Sequence, residues 1–360
     1  MEIKMSNFQE KIKYIGNLAQ LFELKEYRMT SGRADGMRAV DVDNGSGLCF
    51  TVLTDRSMDF GRVTFQGKNI SFLSPCGYVA PQYYDNRRLE WLKSFTAGLL
   101  TTCGLDNIGM CCTDDGEELG VHGRISNMPA EQVSCRLERE ADGTPSAVIS
   151  GVVRHARIYK ENLLLTREIR CRYGENTIYM HDKIENIGVR EAPLMRLYHF
   201  NLGYPLIDED AEVLISSAGV TPKSEFARQY AEKWNQLQKP EVGCEEMCYY
   251  HDMLSDEKGY AIAGAYQPKS SMGAVIRYDT ASLDHFVEWK MMAEGDYVLG
   301  LEPANAHIDG RDQARADGTL KMIRPGETVE SSFCIQMLSG EQDLLMIKEE
   351  IRAMQSRRKK

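Results

Sequence analysis

Residues 131–186 read EQVSCRLERE ADGTPSAVIS GVVRHARIYK ENLLLTREIR CRYGENTIYM HDKIEN. Val133, Cys135 and Leu137 alternate with Ser134, Arg136 and Glu138, and Asp142-Gly143 turns the chain into a second run over 147–157. Further on, Ile169, Cys171 and Tyr173 alternate with Glu168, Arg170 and Arg172, and Gly174-Glu175-Asn176 leads into 177–185. A period of two, punctuated by turn residues, predicts an antiparallel meander with one wet and one dry face.

The same grammar extends outward. Residues 48–53 form a short β-rich run, and Gln66-Gly67-Lys68-Asn69 sits between Val63-Thr64-Phe65 and Ile70-Ser71-Phe72 as a hairpin signal. The stretch with Pro75, Gly77, Pro81, Tyr83, Tyr84 and Trp91 reads as a long structured loop of the kind that often builds sites. Phe226, Tyr230 and Trp234 recur every four residues and predict a core-facing helix over 224–237. Arg324-Pro325-Gly326-Glu327 marks a turn between Met322-Ile323 and a run over 332–337. One or two helical turns fit 9–21, a final amphipathic helix fits 339–354, and 357–360 is a basic tail suited to a helix C-terminus. The expected fold class is therefore mainly all-β, a large antiparallel β-sandwich with short helices at the N-terminus, at 224–237 and at the C-terminus. Residues 1–37 read as a helical or extended lead segment. Residues 38–338 read as one sandwich domain, and 339–360 as a helix packed on it.

Composition narrows the function classes. The chain has 360 residues, and 43 Lys plus Arg against 53 Asp plus Glu give a formal charge of −10, which argues against a nucleic-acid partner. No run approaches ~18 consecutive apolar residues, so no membrane-spanning helix is expected, and Met1 to Glu10 carries charges where a secretory leader would be apolar. Ten cysteines occur without a C-x-x-C pair, and Cys103, Cys111 and Cys112 lack zinc-site spacing. Reduced, mostly buried thiols in a cytoplasmic protein are the expectation. No G-x-G-x-x-G or P-loop signature is present. No cofactor and no metal is expected, and a homodimer is the assembly allowed for.

Three local constellations carry polar chemistry. Val121-His122-Gly123-Arg124-Ile125-Ser126-Asn127 packs a His, an Arg and an Asn around a Gly that would let backbone approach a ligand, or else forms a polar turn. In 194–205, alternation puts Leu197, His199 and Asn201 on one side of a strand and Arg196, Tyr198, Phe200 and Leu202 on the other. In Leu299-Gly300-Leu301-Glu302-Pro303-Ala304-Asn305, Glu302 ends an apolar strand, where burial would raise its pKa and make it a better base near neutrality. Trp289 offers either a stacking face for a sugar or ordinary core packing.

These segments, in this order, resemble the aldose 1-epimerase (galactose mutarotase) superfamily. Its His-Gly-Gly, Asn-His-x-x-Phe-Asn-Leu and Leu-Glu motifs are echoed by His122-Gly123-Arg124, Tyr198-His199-Phe200-Asn201-Leu202 and Leu301-Glu302-Pro303-Ala304-Asn305. The similarity is greater to a divergent, uncharacterised branch that also carries Asp55-Arg56-Ser57-Met58-Asp59 and Thr102-Cys103-Gly104-Leu105, and it spans roughly 38–337. It implies the β-sandwich of that superfamily and ring-opening anomer interconversion of an aldose or modified sugar. Glu302 would be the base, His199 the acid, and His122 the residue that orients the sugar. Arg124 and Asn201 would hold hydroxyls, with Arg56, Trp289 and Asn305 completing the substrate contacts. Arg124 and Arg56 either favour an acidic or modified sugar or sit in structural ion pairs. For the family's substrate-binding Asp, Tyr250-His251-Asp252 and Leu283-Asp284-His285-Phe286 are the candidates. The alternatives are a non-catalytic carbohydrate-binding protein on the same fold and a metal-dependent sugar isomerase or lyase with His122, His199 and Glu302 as ligands.

Overall fold

A computed structural model describes residues 8–357. Met1 to Asn7 and Arg358 to Lys360, and with them most of the charged N-terminus and the basic tail, lie outside the described residues.

Three antiparallel sheets share one apolar core. The 131–186 meander forms strands Glu131–Arg139, Pro145–Ala156, Asn162–Arg172 and Thr177–Asn186. They continue through Thr328–Ser339, Met272–Asp279, Tyr260–Gln267 and Glu212–Ile215 as one eight-stranded sheet. Burial in Asn162–Arg172 and Thr177–Asn186 alternates residue by residue, as a half-wet sheet requires. A five-stranded sheet runs from Glu23–Arg28 through Arg38–Asp43, Leu48–Leu53 and Asp59–Phe65 to Lys68–Asn69. Its last hairpin pairs Phe65 with Lys68, and Gln66 and Gly67 both take positive φ in the two-residue turn. The six-stranded sheet has the order Ser217–Pro222, Met247–Met253, His285–Met291, Val298–Ala304, Met195–Leu202, Leu100–Leu105.

The predicted period of two in 194–205 explains how this third sheet is used. Tyr198, Phe200 and Leu202 join the main core with Ile169, Ile335 and Phe60 from the other two sheets. Met195 and Leu197 turn the other way, into a second apolar cluster with Cys103, Val287 and Ala304. Loop residues Trp91, Phe95, Ile108, Val121 and Ile308 cover that second cluster, and the chemistry lies under this cover.

A fully buried clamp ties the sheets together. Arg167 donates to both carboxylate oxygens of Asp182 (2.7 Å each), to Asp59 Oδ1 (2.8 Å), to the Ser57 carbonyl (2.9 Å) and to Thr102 Oγ1 (2.9 Å). Tyr198 Oη donates to Asp182 (2.8 Å). One guanidinium thus bridges strands of the three large sheets. Burial acts to strip its proton, but the Asp182 and Asp59 carboxylates outweigh that and keep it charged.

Helices are few. The pattern over 224–237 becomes a helix at Glu225–Gln229 and a 3-10 turn at Ala231–Lys233, shorter than the apolar spacing suggested. The buried amine of Lys290 donates to the carbonyls of Lys233, Trp234 and Gln236, which ends the helical ladder there. The C-terminal helix Glu341–Arg357 buries Leu344, Ile347, Ile351 and Met354 against Leu214, Ile262 and Val275 of the large sheet. No helix among the described residues is long and apolar enough to cross a membrane. All ten cysteines are free.

Candidate functional site

The register that pairs Leu197 with Ala304 and Phe200 with Leu301 puts His199 opposite Glu302 on neighbouring strands. Their side chains meet, His199 Nε2 lying 3.3 Å from Glu302 Oε1, with only 5 and 2% of the two side chains exposed. Gly300 makes room for this contact, since a Cβ there would lie 2.9 Å from Glu302 Oε1 and 3.0 Å from Trp289 Cβ. Burial, and then the nearby Glu246 carboxylate, push Glu302 well above the ordinary carboxylate range. Burial, and then His122, push His199 well below the ordinary imidazole range, with Asn201 acting the other way. Both shifts disfavour the charged form of each side chain.

His122 comes from a different kind of element. It sits at φ 56° in a loop, its ring centre 5.7 Å from that of His199 and 4.9 Å from that of Trp91. The Gly109 N–H donates to its Nδ1 at 3.3 Å, which leaves Nε2 to carry the proton. Burial lowers its pKa to about 4, so at neutral pH it is an uncharged donor.

The loop is held by built-in partners. Asn107, fully buried, donates to the carbonyls of Met110 and Gly120 and accepts from the Arg311 N–H. Gly123 bridges to Gly104 with φ +68°; a Cβ there would meet Asp106 Oδ1 and the Gly104 carbonyl at 2.5 Å and the Asn107 carbonyl at 2.7 Å. The backbone that Gly123 lets approach is therefore the protein's own, not a ligand's. Gly123→Ala is expected to lower stability by roughly 1–3 kcal/mol, read in a thermal melt, because it adds both strain and a clash. An unchanged melt would contradict this account of the loop.

His122, His199, Glu302 and Trp289 line one cavity of about 420 Å³. Trp289 stands edge-on to His199 at 5.2 Å and donates from Nε1 to Glu246 Oε2 at 3.0 Å. Phe95, stacked on Trp91, lies 5.4 Å from His199. Leu92, Met110, Val121, Lys223, Ser224, Glu246 and Cys248 also reach the cavity. Lys223 is paired with Asp309 at 2.6 Å, and the Ser224 hydroxyl caps a helix by accepting from the Ala227 N–H.

Four residues expected to contact a substrate lie outside the cavity lining, and each has partners within the fold. Arg124 bonds Asp106 at 3.0 Å and Glu161 at 2.6 Å. Arg56, buried, donates to the Val79 carbonyl and to Asn127 Oδ1. Asn201 donates to the His199 carbonyl at 2.7 Å. Asn305 latches two strand ends, accepting from the Arg196 N–H and donating to the Leu194 carbonyl. Of the two alternatives for Arg124 and Arg56, Arg124 is in an ion pair and Arg56 is bonded to neutral groups, and neither lines the cavity.

Asp252 and Asp284 are also absent from the cavity lining, and Asp284 pairs with Lys321 and His285. The acid that does line it is Glu246, one residue before the strand Met247–Met253, and nothing in Cys244-Glu245-Glu246 marked it. Among the described residues, no three His, Cys, Asp or Glu side chains form a group that could hold a metal ion.

The model of a family described as a domain of unknown function (DUF4432) matches residues 34–337. No curated protein matches the chain. Among solved structures, it is similar to a protein from Klebsiella pneumoniae subsp. pneumoniae provisionally named an aldose 1-epimerase, with TM-score 0.89, 24% identity, and coverage of 94% of this chain and 91% of that one. A galactose mutarotase-like protein from Clostridium acetobutylicum aligns with TM-score 0.61 and 14% identity over 89% of this chain and 99% of that one. The galactose 1-epimerase from Lactobacillus acidophilus NCFM aligns with TM-score 0.55 and 12% identity over the same shares. At these identities the likeness establishes the fold, a galactose mutarotase-like β-sandwich: the strand pattern predicted the sandwich, and the resemblance implied the superfamily's version of it.

Proposed function

We propose that this chain, which belongs to the DUF4432 family and has the galactose mutarotase-like fold, is an isomerase that interconverts sugar anomers by general acid–base ring opening. The observation that carries the reading is the buried 3.3 Å contact between His199 and Glu302 inside a cavity of sugar size.

Ring opening must remove the proton from the anomeric hydroxyl and deliver one to the ring oxygen as the C1–O5 bond breaks and C1 becomes a carbonyl. Glu302, as carboxylate, takes the first proton, and His199, as imidazolium, gives the second. The pair then holds one proton on Glu302, the arrangement that burial favours. Rotation about C1–C2 presents the other carbonyl face. Closure reverses both transfers, returning a proton from Glu302 to the anomeric oxygen and one from the ring hydroxyl to His199. The two proton placements of the pair are thus the two ends of one cycle, linked by a 3.3 Å contact. Neutral His122 donates from Nε2 to the ring oxygen and steadies its developing charge. Such an acid–base pair typically supplies ~10²–10⁴ in rate, and sugar positioning supplies further acceleration.

The test is NMR exchange spectroscopy of α and β anomers over a panel of neutral, acidic and deoxy sugars. Acceleration of at least one sugar above the spontaneous rate is expected. A folded protein that accelerates none sinks the reading.

The pH profile follows from the directions of shift. The active pair carries one proton. A second proton would remove the base, but His199 resists it because its pKa is depressed. Removal of the one proton would abolish the acid, but the raised pKa of Glu302 moves that step toward alkali. The rate kcat/KM should therefore stay level through pH 6.5 and fall in acid only as His122 gains its proton near about 4. A midpoint near 6.5 would mean an ordinary histidine governs the rate.

A further inference from the structure

The cavity has two unlike flanks, and their placement relative to the acid and base restricts the substrate. On one flank, Trp289 touches both His199 and Glu246, and Glu246 acts electrostatically on Glu302. With Lys223 and the Cys248 thiol these are the polar side chains that line the cavity beyond His122, His199, Glu302 and the helix-capping Ser224. The other flank surrounds His122: Trp91 packs on its ring, Phe95 stacks on Trp91, Val121 precedes it and Met110 follows its Gly109 donor. No donor or acceptor side chain joins that wall. Trp91 Nε1 is already given to Ser126 Oγ at 3.1 Å.

Resting on the reading under Proposed function, the anomeric oxygen lies at Glu302 and the ring oxygen at His199 and His122. The carbon next to C1, with its hydroxyl, then lies on the Glu246 flank. The carbon on the far side of the ring oxygen, with its exocyclic substituent, lies against the Trp91–Phe95–Met110 wall. We infer that the site takes a neutral 6-deoxyhexopyranose, whose methyl group fills the apolar flank where a hexose would bury a hydroxymethyl and a uronic acid a carboxylate. A hydroxyl held against Trp91, Phe95 and Val121, all buried, would meet no side-chain partner, and a carboxylate would meet neither a partner nor a cation. Lys223 supplies no free charge, since Asp309 already pairs with it. The Glu246 carboxylate makes the opposite flank unfavourable to an anion.

The experiment measures anomer exchange on matched pairs: 6-deoxy-D-galactose with D-galactose, 6-deoxy-D-glucose with D-glucose, L-rhamnose with L-mannose, and L-fucose with L-galactose, each set with its uronate. Line broadening of the same sugars is recorded alongside. For the ring configuration accepted, kcat/KM should be ~10–100-fold higher for the 6-deoxy sugar, the scale on which an apolar pocket rejects an added hydroxyl. The uronate should not turn over. Met110→Gln, at a half-exposed rim position, should narrow the ratio at least threefold by offering the hydroxyl a partner. Equal or better turnover of the parent hexose or uronate overturns the inference and leaves the isomerase reading standing. No exchange, with the 6-deoxy sugar alone broadened, upholds the subsite and sinks the isomerase reading. Neither exchange nor broadening overturns both.

Discussion

Glu302→Gln is expected to lower kcat/KM for anomer exchange by ~10³-fold or more while leaving the melting temperature and sugar-induced line broadening unchanged. The substitution keeps the shape of a side chain that is 2% exposed and keeps a hydrogen-bonding group beside His199 Nε2. It removes only the capacity to hold and release a proton. In the proposed cycle Glu302 and His199 exchange one proton, so their losses should not add. The double variant Glu302→Gln/His199→Gln is expected to be no slower than the slower single variant, within about threefold. Exchange in Glu302→Gln within tenfold of wild type would exclude this carboxyl as the base. Fully multiplicative losses would exclude the shared proton.

The second large effect concerns stability. Arg167→Met should reduce the free energy of unfolding by about 3–5 kcal/mol, because it leaves Asp59 and Asp182 buried without their cation. The shift should appear as a lower urea midpoint. Exchange activity should fall with it, since the same guanidinium bonds Thr102, which pairs with Tyr198, the neighbour of His199. Arg87→Ala makes the contrast: Arg87 pairs with Asp85 in open solvent, and its midpoint should not move measurably. If the two variants melt alike, the clamp does not hold the sheets together.

The meeting of His122, His199 and Glu302 at one cavity was implied by the family resemblance, while Trp289 was left open between a stacking face and core packing. Alternation fixes which way a strand residue faces, so His199 could be separated from Tyr198 and Phe200 by parity alone, and Glu302 from Leu301. That the three segments converge came from the resemblance, whose motifs they match in the same order. What escaped the sequence depends on partners far along the chain. Arg124 looks like a free cation until Glu161, 37 residues later, takes it. Asn305 looks like a ligand group until Leu194 and Arg196, more than 100 residues earlier, use both ends of its amide. Glu246, Met110 and Phe95 lie on irregular segments, where no period says which side chain faces inward. The helix over 224–237 was visible as a stripe, yet its length was set by Lys290, on a strand more than 50 residues away.

The ladder that sets His199 against Glu302 is backbone geometry, indifferent to what occupies the space above it. The surfaces that would judge a substrate hang from four separate connections: 89–95, 109–122, 223–224 and the approach to Met247. The acid–base pair of the proposed cycle and most of the surfaces that would judge a substrate therefore sit in different parts of the chain, with His122 belonging to both. A lineage could rewrite its taste in sugars through insertions and swaps in those connections without disturbing a single strand pairing. Among relatives of this fold, loop identity should then track substrate preference far better than overall likeness does.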